Sequence, residues 1–150
     1  MTDPIRQTQR SLPIALLRAR EVVMGPLREM LAASGVNEQK WRVLRVLDEQ
    51  GPLELSVLAE HACLLLPSLT RMVRPMEDEA LIARSIPAKD RRKVVLTITD
   101  GGRGLIRDHI ATSNAIFGRI ENRFGADRLN LLLDLLDDLR HLDLAEPKAP

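Results

Sequence analysis

The spacing of apolar residues along the chain predicts a mainly α-helical fold. In the first third, apolar residues recur three or four positions apart over about residues 12–33 and again over 38–50, which is the period of an amphipathic helix. Each run follows a residue suited to cap a helix, Ser11 for the first and Asn37 for the second. We therefore expect two helices, separated by a short turn.

The middle of the chain predicts two shorter helices joined by a tight turn. The run LELSVLAEHA places Leu55, Leu58 and Ala62 on one helical face, and CLLL forms the turn. The next run, PSLTRMVRPMEDEA, opens a helix with Pro67 at its first position, where a missing N–H costs no hydrogen bond. Pro75 lies inside this helix and is expected to kink it. Two short helices in this order are typical of a helix-turn-helix.

Residues 81–99 predict a β-hairpin with a positively charged tip. In VVLTIT the residues Val94, Leu96 and Ile98 share one face, which is the alternation of a half-buried strand. The run LIARSI is the other strand. The loop between them carries four basic residues and one acid: Lys89, Arg91, Arg92, Lys93 and Asp90. A basic hairpin after a helix-turn-helix is typical of winged-helix proteins that bind double-stranded DNA.

The last third predicts two more helices and a protein–protein contact. Asp100-Gly101-Gly102 is expected to form a turn before a long helix, and Gly125 separates that helix from a final one. The final helix has Leu129, Leu132, Leu136 and Leu139 at the spacing of a coiled-coil seam. Further leucines beside this seam exceed what one helix buries in its own core. We therefore expect the two ends of the chain to form a homodimer interface.

Composition narrows the classes of function. A chain of 150 residues with 45% hydrophobic residues is long enough for one domain with a core. Aromatic residues make up only 2%, which disfavours a stacking platform for RNA or single-stranded DNA. The net charge is +1, so the hairpin is a local concentration of positive charge. Neither a membrane span nor a signal-peptide pattern is apparent, and we expect a cytoplasmic protein without a membrane partner.

Other reactive side chains give weaker signals. The single cysteine, Cys63, excludes a disulfide within the chain, and we interpret it as a small core residue, with oxidant sensing as the alternative. His61, His109 and His141 lack the spacing of metal ligands, so we predict neither a metal nor a cofactor. The scattered histidines and carboxylates also disfavour an enzyme.

Two motifs resemble those of the MarR family of winged helix-turn-helix transcription factors. The family's wing pattern is present as Asp90, Arg92, Leu96, Ile98, Thr99 and Gly102. The start of its recognition helix is present as Pro67, Ser68, Thr70 and Arg71. The resemblance implies one mainly helical domain with a β-hairpin wing. Its DNA-binding lobe would span about residues 52–99, and dimerisation helices would span about 11–33 and 103–142.

The resemblance also implies a homodimeric repressor that binds a pseudo-palindromic operator. Arg71 would pair with guanine in the major groove, and Arg92 would enter the minor groove, braced by Asp90. The remaining contacts to bases or phosphates would come from two groups, Ser68, Thr70 and Arg74 on the helix, and Lys89, Arg91 and Lys93 on the wing. The alternative for the basic loop is a solvated tip without a ligand. A winged-helix protein–protein adaptor is a further alternative.

Within the family, four stretches resemble regulators of homoprotocatechuate-degradation operons: SLPIALLRARE, NEQKWRVLRVLDEQG, LAEHACLLLPSLTRM and RFGADRLNLLLDLLDDL. This resemblance implies repression of an aromatic-acid catabolic operon, relieved by a hydroxyphenylacetate-type acid. The candidate effector residues are Ser11, Arg18, Arg20, Trp41, Arg42 and Arg45. Trp41 as a core residue is the alternative to its ligand role. The other open possibility is a regulator that responds to oxidants or drugs.

Overall fold

The computed structural model describes residues 4–147, which form six α-helices, three short strands and one 3-10 turn at Thr8–Arg10. The helices are α1 (Leu12–Ala32), α2 (Glu38–Gln50), α3 (Leu55–His61), α4 (Leu66–Asp78), α5 (Asp100–Phe124) and α6 (Ala126–Arg140). The strands are β1 (Leu53–Glu54), β2 (Ile82–Ser85) and β3 (Val95–Ile98). The predicted winged helix-turn-helix fold, mainly helical with a hairpin, is confirmed.

The chain divides into two units, of which the first ends at Ser113 and the second begins at Asn114. The first unit contains the sheet and a core of buried side chains contributed by α1 to α4, β2, β3 and the start of α5. Its best-buried members include Leu44, Leu58, Leu69 and Leu96, each 0% exposed. The second unit contains α6, in which no residue is buried.

The wing is part of a three-stranded sheet. The strand order is β1-β3-β2, all antiparallel, with Leu53 opposite Leu96 and Ile82 opposite Ile98. The prediction that the helix LELSVLAEHA begins at residue 53 was wrong, because its first two residues form β1. A strand of two residues is too short to show alternation, so periodicity could not reveal it.

The junction between the wing and α5 corrects a second prediction. Asp100 to Gly102 form the first turn of α5 rather than a turn before it, and the Thr99 hydroxyl caps the helix by accepting the Gly102 N–H at 3.1 Å. The same hydroxyl donates to the Ala80 carbonyl. A Cβ on Gly102 would lie 2.7 Å from Ile98 Cγ1. The glycine is therefore needed for close packing of the helix against the strand.

The turn between α3 and α4 differs from expectation at two residues. Cys63 is exposed and not in the core, because the turn holds it at φ +54°, in the left-handed region usually occupied by glycine. This position explains how the turn forms without a glycine. Pro67 is the second residue of α4, since the helix begins at Leu66, and the helix continues through Pro75 to Asp78.

Candidate DNA-binding site

Helix α4 is amphipathic, with one face in the core and the other open. Leu69, Val73 and Met76 are buried, and they anchor the helix to the first unit. Among the predicted DNA contacts, Thr70, Arg71 and Arg74 are exposed and Ser68 is half-buried. The Thr70 hydroxyl donates to the Leu66 carbonyl at 2.9 Å, so its oxygen remains able to accept. The helix therefore presents two guanidinium groups to the outside.

The wing tip presents Arg92 in the predicted contact with Asp90. The side chain of Arg92 is 93% exposed, and Asp90 Oδ1 accepts from its backbone N–H at 3.0 Å and from its Nε at 3.4 Å. Asp90 thereby restrains the base of the guanidinium while leaving the rest free. Lys89 and Arg91 on the same loop are also exposed. Three cations therefore remain available at the tip.

Two other cations of the wing are held by carboxylates from outside it. Lys93 Nζ lies 3.1 Å from Glu54 Oε1 on β1, and this contact raises the pKa of Lys93. Arg84 on β2 donates through Nε to Glu77 Oε1 on α4 at 2.8 Å, and these hydrogen bonds lower the pKa of Glu77. Lys93 was predicted to bind phosphate, and it must exchange Glu54 for a phosphate to do so. Of the wing cations, Arg84 and Lys93 therefore pair with carboxylates of other elements, whereas Arg92 pairs with Asp90 of its own loop.

The predicted effector residues are dispersed over α1 and α2. Trp41 is 6% exposed and belongs to the core, where the His109 ring packs edge-on at 6.1 Å between centroids. Arg45 pairs with Glu49 at 2.9 Å. Ser11, at the cap position of α1, is half-buried. Arg18 and Arg20 are exposed on α1. Arg42 is half-buried, and its Nε has no hydrogen-bond partner. Ser11 occupies the cap position but makes no side-chain cap hydrogen bond.

A cavity of about 410 Å³ lies where the end of α1 meets the start of α2. Its lining residues are Arg28, Ala32, Val36, Asn37, Glu38 and Gln39. Oxygen Oε1 of Glu38 accepts from Arg20, whereas Oε2 is buried and has no hydrogen-bond partner, with Arg28 Nε 3.9 Å away. The sequence analysis predicted basic residues for binding an acid and did not predict Glu38. The sequence indicates only that Glu38 lies in the first turn of α2.

Two absences concern residues 4–147, the part of the chain that the structure describes. No group of three or more histidine, cysteine or acidic side chains there is arranged to hold a metal ion. No helix in the same part of the chain is long and apolar enough to cross a membrane.

A winged helix-turn-helix with exposed arginines on its second helix and on its wing defines a class of DNA-binding regulators. Residues 36–94 match the MarR family. The chain is 34% identical to the HTH-type transcriptional regulator FarR of Neisseria gonorrhoeae, over 93% of this chain and 96% of FarR. It is 35% identical to the homoprotocatechuate degradative operon repressor of Escherichia coli, over 85% of this chain and 86% of that repressor. The chain therefore belongs to the MarR family of transcriptional regulators.

A solved structure extends the similarity to the whole fold. NadR in complex with 4-hydroxyphenylacetate superposes with a TM-score of 0.80 at 33% identity, covering 94% of this chain and 100% of NadR. The predicted family is thus confirmed, together with its winged-helix fold.

Proposed function

We propose that this regulator is a homodimeric repressor of an aromatic-acid catabolic operon, released from DNA by a hydroxyphenylacetate-type acid. The observation that supports DNA recognition most strongly is the joint exposure of Arg71 on α4 and Arg92 on the wing. In this proposal Arg71 makes a bidentate pair with a guanine in the major groove, and Arg92 enters the electronegative minor groove. An adaptor that binds only protein has no need of this pair.

The dimer is supported by apolar residues that the single chain leaves exposed. In α6, Leu131, Leu133 and Leu135 are between 55% and 58% exposed, and α1 exposes Leu17 and Val22 to 59% and 74%. Removal of such side chains from water favours association, against the cost of lost translational and rotational freedom. Two copies would place their recognition helices about 34 Å apart, one turn of the duplex.

The cavity at the start of α2 supports an aromatic acid as the effector. The buried Oε2 of Glu38 makes no hydrogen bond and can accept one from a phenol hydroxyl. Arg28 Nε lies 3.9 Å from this oxygen and Arg28 Nη2 pairs with Glu21 at 2.8 Å, so the guanidinium must exchange Glu21 for the ligand to bind its carboxylate. An acid with both groups on one ring would satisfy both. Such an effector must bind preferentially to dimers whose recognition helices are wrongly spaced for DNA.

DNA recognition is tested by fluorescence anisotropy with a labelled fragment from upstream of the chain's own gene. We expect binding at least about 10³-fold tighter than to a scrambled fragment, with affinity falling steeply as salt rises. Equal affinity for the two fragments at every salt concentration would contradict a sequence-specific repressor.

Effector release is tested by adding 4-hydroxyphenylacetate to the preformed complex, with phenylacetate as the matched compound that lacks the hydroxyl. We expect release by the first at lower concentration than by the second. Glu38→Gln should reduce this difference, whereas Gln39→Ala on the same wall should preserve it. Failure of both compounds to release DNA would remove the aromatic-acid proposal and leave the DNA-binding regulator intact.

The exposure of Cys63 favours an oxidant-responsive regulator as a second candidate. Its thiol lies in the turn that leads into the recognition helix, where a bulky oxidation product would disturb the approach to DNA. Peroxide treatment should then weaken DNA binding of the wild type but not of Cys63→Ser. Equal sensitivity of the two proteins would eliminate this candidate.

A further inference from the structure

We propose that Glu77 and Arg84 form a positioning pair that fixes the wing against the recognition helix. The pair would set the geometry between the two DNA contacts, Arg71 and Arg92, without touching DNA itself. This inference rests on the DNA-binding function proposed above and assigns a role to two residues that sequence motifs leave unexplained.

The geometry of the pair connects two elements that bear different DNA contacts. Glu77 lies in the last turn of α4, and Arg84 lies inside β2. Glu77 Oε1 accepts from both Nε and Nη2 of Arg84, the first at 2.8 Å. The side chain of Glu77 is 25% exposed and that of Arg84 is 47% exposed, so the pair is partly shielded from solvent. Two hydrogen bonds to one oxygen restrict the guanidinium more than a single contact would.

The sheet extends this connection to the wing tip. Arg84 stands opposite Leu96 in the β2–β3 register, and β3 is the strand that leaves the loop containing Arg92. Leu96 is 0% exposed, which fixes β3 to the core at that point. Movement of the hairpin relative to α4 therefore requires the Glu77–Arg84 contact to break or deform.

The negative charge of Glu77 distinguishes a positioning role from a direct electrostatic effect on DNA binding. Glu77 is a carboxylate on the recognition helix, one turn after Arg74, whose charge also lowers the pKa of Glu77. A carboxylate near DNA repels phosphate, so its neutralisation should strengthen binding if charge alone matters. A positioning role predicts the opposite, because the wing loses its fixed relation to α4.

The test is the operator affinity of Glu77→Gln, which keeps the shape of the side chain and removes its charge. We expect binding to weaken about threefold to tenfold on the operator, while binding to scrambled DNA stays equal or strengthens. In the Arg92→Ala background the same substitution should have no further effect on the operator, because the contact that it positions is gone. Thermal unfolding of each variant measures any change of stability separately.

Glu49→Gln is the matched control, since Glu49 also pairs with an arginine, Arg45 on α2, and is remote from the wing strands in sequence. It should leave operator affinity unchanged. The exchanged pair Glu77→Arg with Arg84→Glu should recover most of the affinity lost by Glu77→Gln. Operator binding by Glu77→Gln that is as tight as wild type or tighter, or an equal loss in the Arg92→Ala background, would overturn the proposal. A wild-type protein that does not prefer its operator would instead refute the proposed function.

Discussion

The DNA-binding lobe and helix α6 use apolar side chains in opposite ways. Between β1 and β3, Leu58, Leu69 and Leu96 are completely buried, and the exposed large apolar residues are Leu65, Leu66 and Ile86. In α6 no residue is buried, and five of its leucines are between 37% and 58% exposed. The lobe thus buries apolar side chains within one chain, whereas α6 leaves its leucines exposed, and in the proposed homodimer a second copy would cover them. We therefore propose that the first region provides specificity for DNA and the second provides association.

Introducing charged residues into α6 should have the largest effect of the changes proposed here, because it should abolish the dimer. Leu132→Glu with Leu136→Glu places two carboxylates on the proposed interface, and we expect monomers in light scattering. Operator affinity should fall by about 100-fold or more, because each half-site is then bound independently. The variant should keep a helical circular dichroism spectrum, and its melting temperature should no longer depend on protein concentration.

Asn130→Glu is the control for this experiment, since it adds a carboxylate to the same helix on the face that already carries Asp134 and Asp137. It should remain dimeric. A double leucine variant that stays dimeric at micromolar concentration would contradict the role assigned to α6.

Gly102→Ala should destabilise the first unit, because the added Cβ meets the Leu81 carbonyl and Ile98. We expect a loss of about 1–3 kcal/mol in the free energy of unfolding, measured by urea denaturation. Gly104→Ala is the matched substitution two residues on, where the nearest atom is 4.0 Å away. It should stabilise the protein by about 0.5–1 kcal/mol, since alanine favours a helix interior over glycine. Equal effects at the two sites would contradict the close packing.

Arg71→Lys keeps the charge of the recognition helix and removes the planar fork needed for a bidentate pair. We expect operator affinity to fall by about 1–3 kcal/mol while affinity for scrambled DNA changes little. Anisotropy titrations with both fragments measure the two effects. A parallel loss on both fragments would make Arg71 a phosphate contact rather than a base contact.

Glu54→Gln should change DNA affinity least, and it should raise the affinity where the other substitutions lower it. The substitution frees the Lys93 ammonium, which is half exposed in its contact with Glu54. Affinity for any DNA should then rise, by about threefold at low salt, and the salt dependence should steepen by about one counterion. An unchanged salt dependence would show that Lys93 does not reach phosphate even when released.

Periodicity in the sequence predicted the helices and the hairpin well because they are long or strongly patterned. Asn37 caps α2 through the Lys40 N–H at 2.8 Å, as the sequence indicated. Strand β1 escaped prediction because two residues have no period. The start of α5 was misplaced because Gly101 and Gly102 suggested a turn, while the structure uses them where the backbone of Ala80 and Leu81 comes close.

The candidate site was predictable only in part. Motif spacing identified the exposed arginines of α4 and the wing tip. It could not reveal that Lys93 pairs with Glu54 or that Arg84 pairs with Glu77, because these partners are 39 and 7 residues apart and lie on different elements. The unpaired oxygen of Glu38 depends on the packing of α1 against α2, which no local pattern reports.

The central claim is that the lobe recognises DNA through α4 and the wing together, and Arg92→Ala tests it most directly. Anisotropy titrations of the wild type and this variant against the upstream fragment should be run over a series of salt concentrations. We predict an affinity about tenfold lower for the variant, with a smaller salt slope, and an unchanged melting temperature. An affinity and a salt slope equal to those of the wild type would contradict the claim.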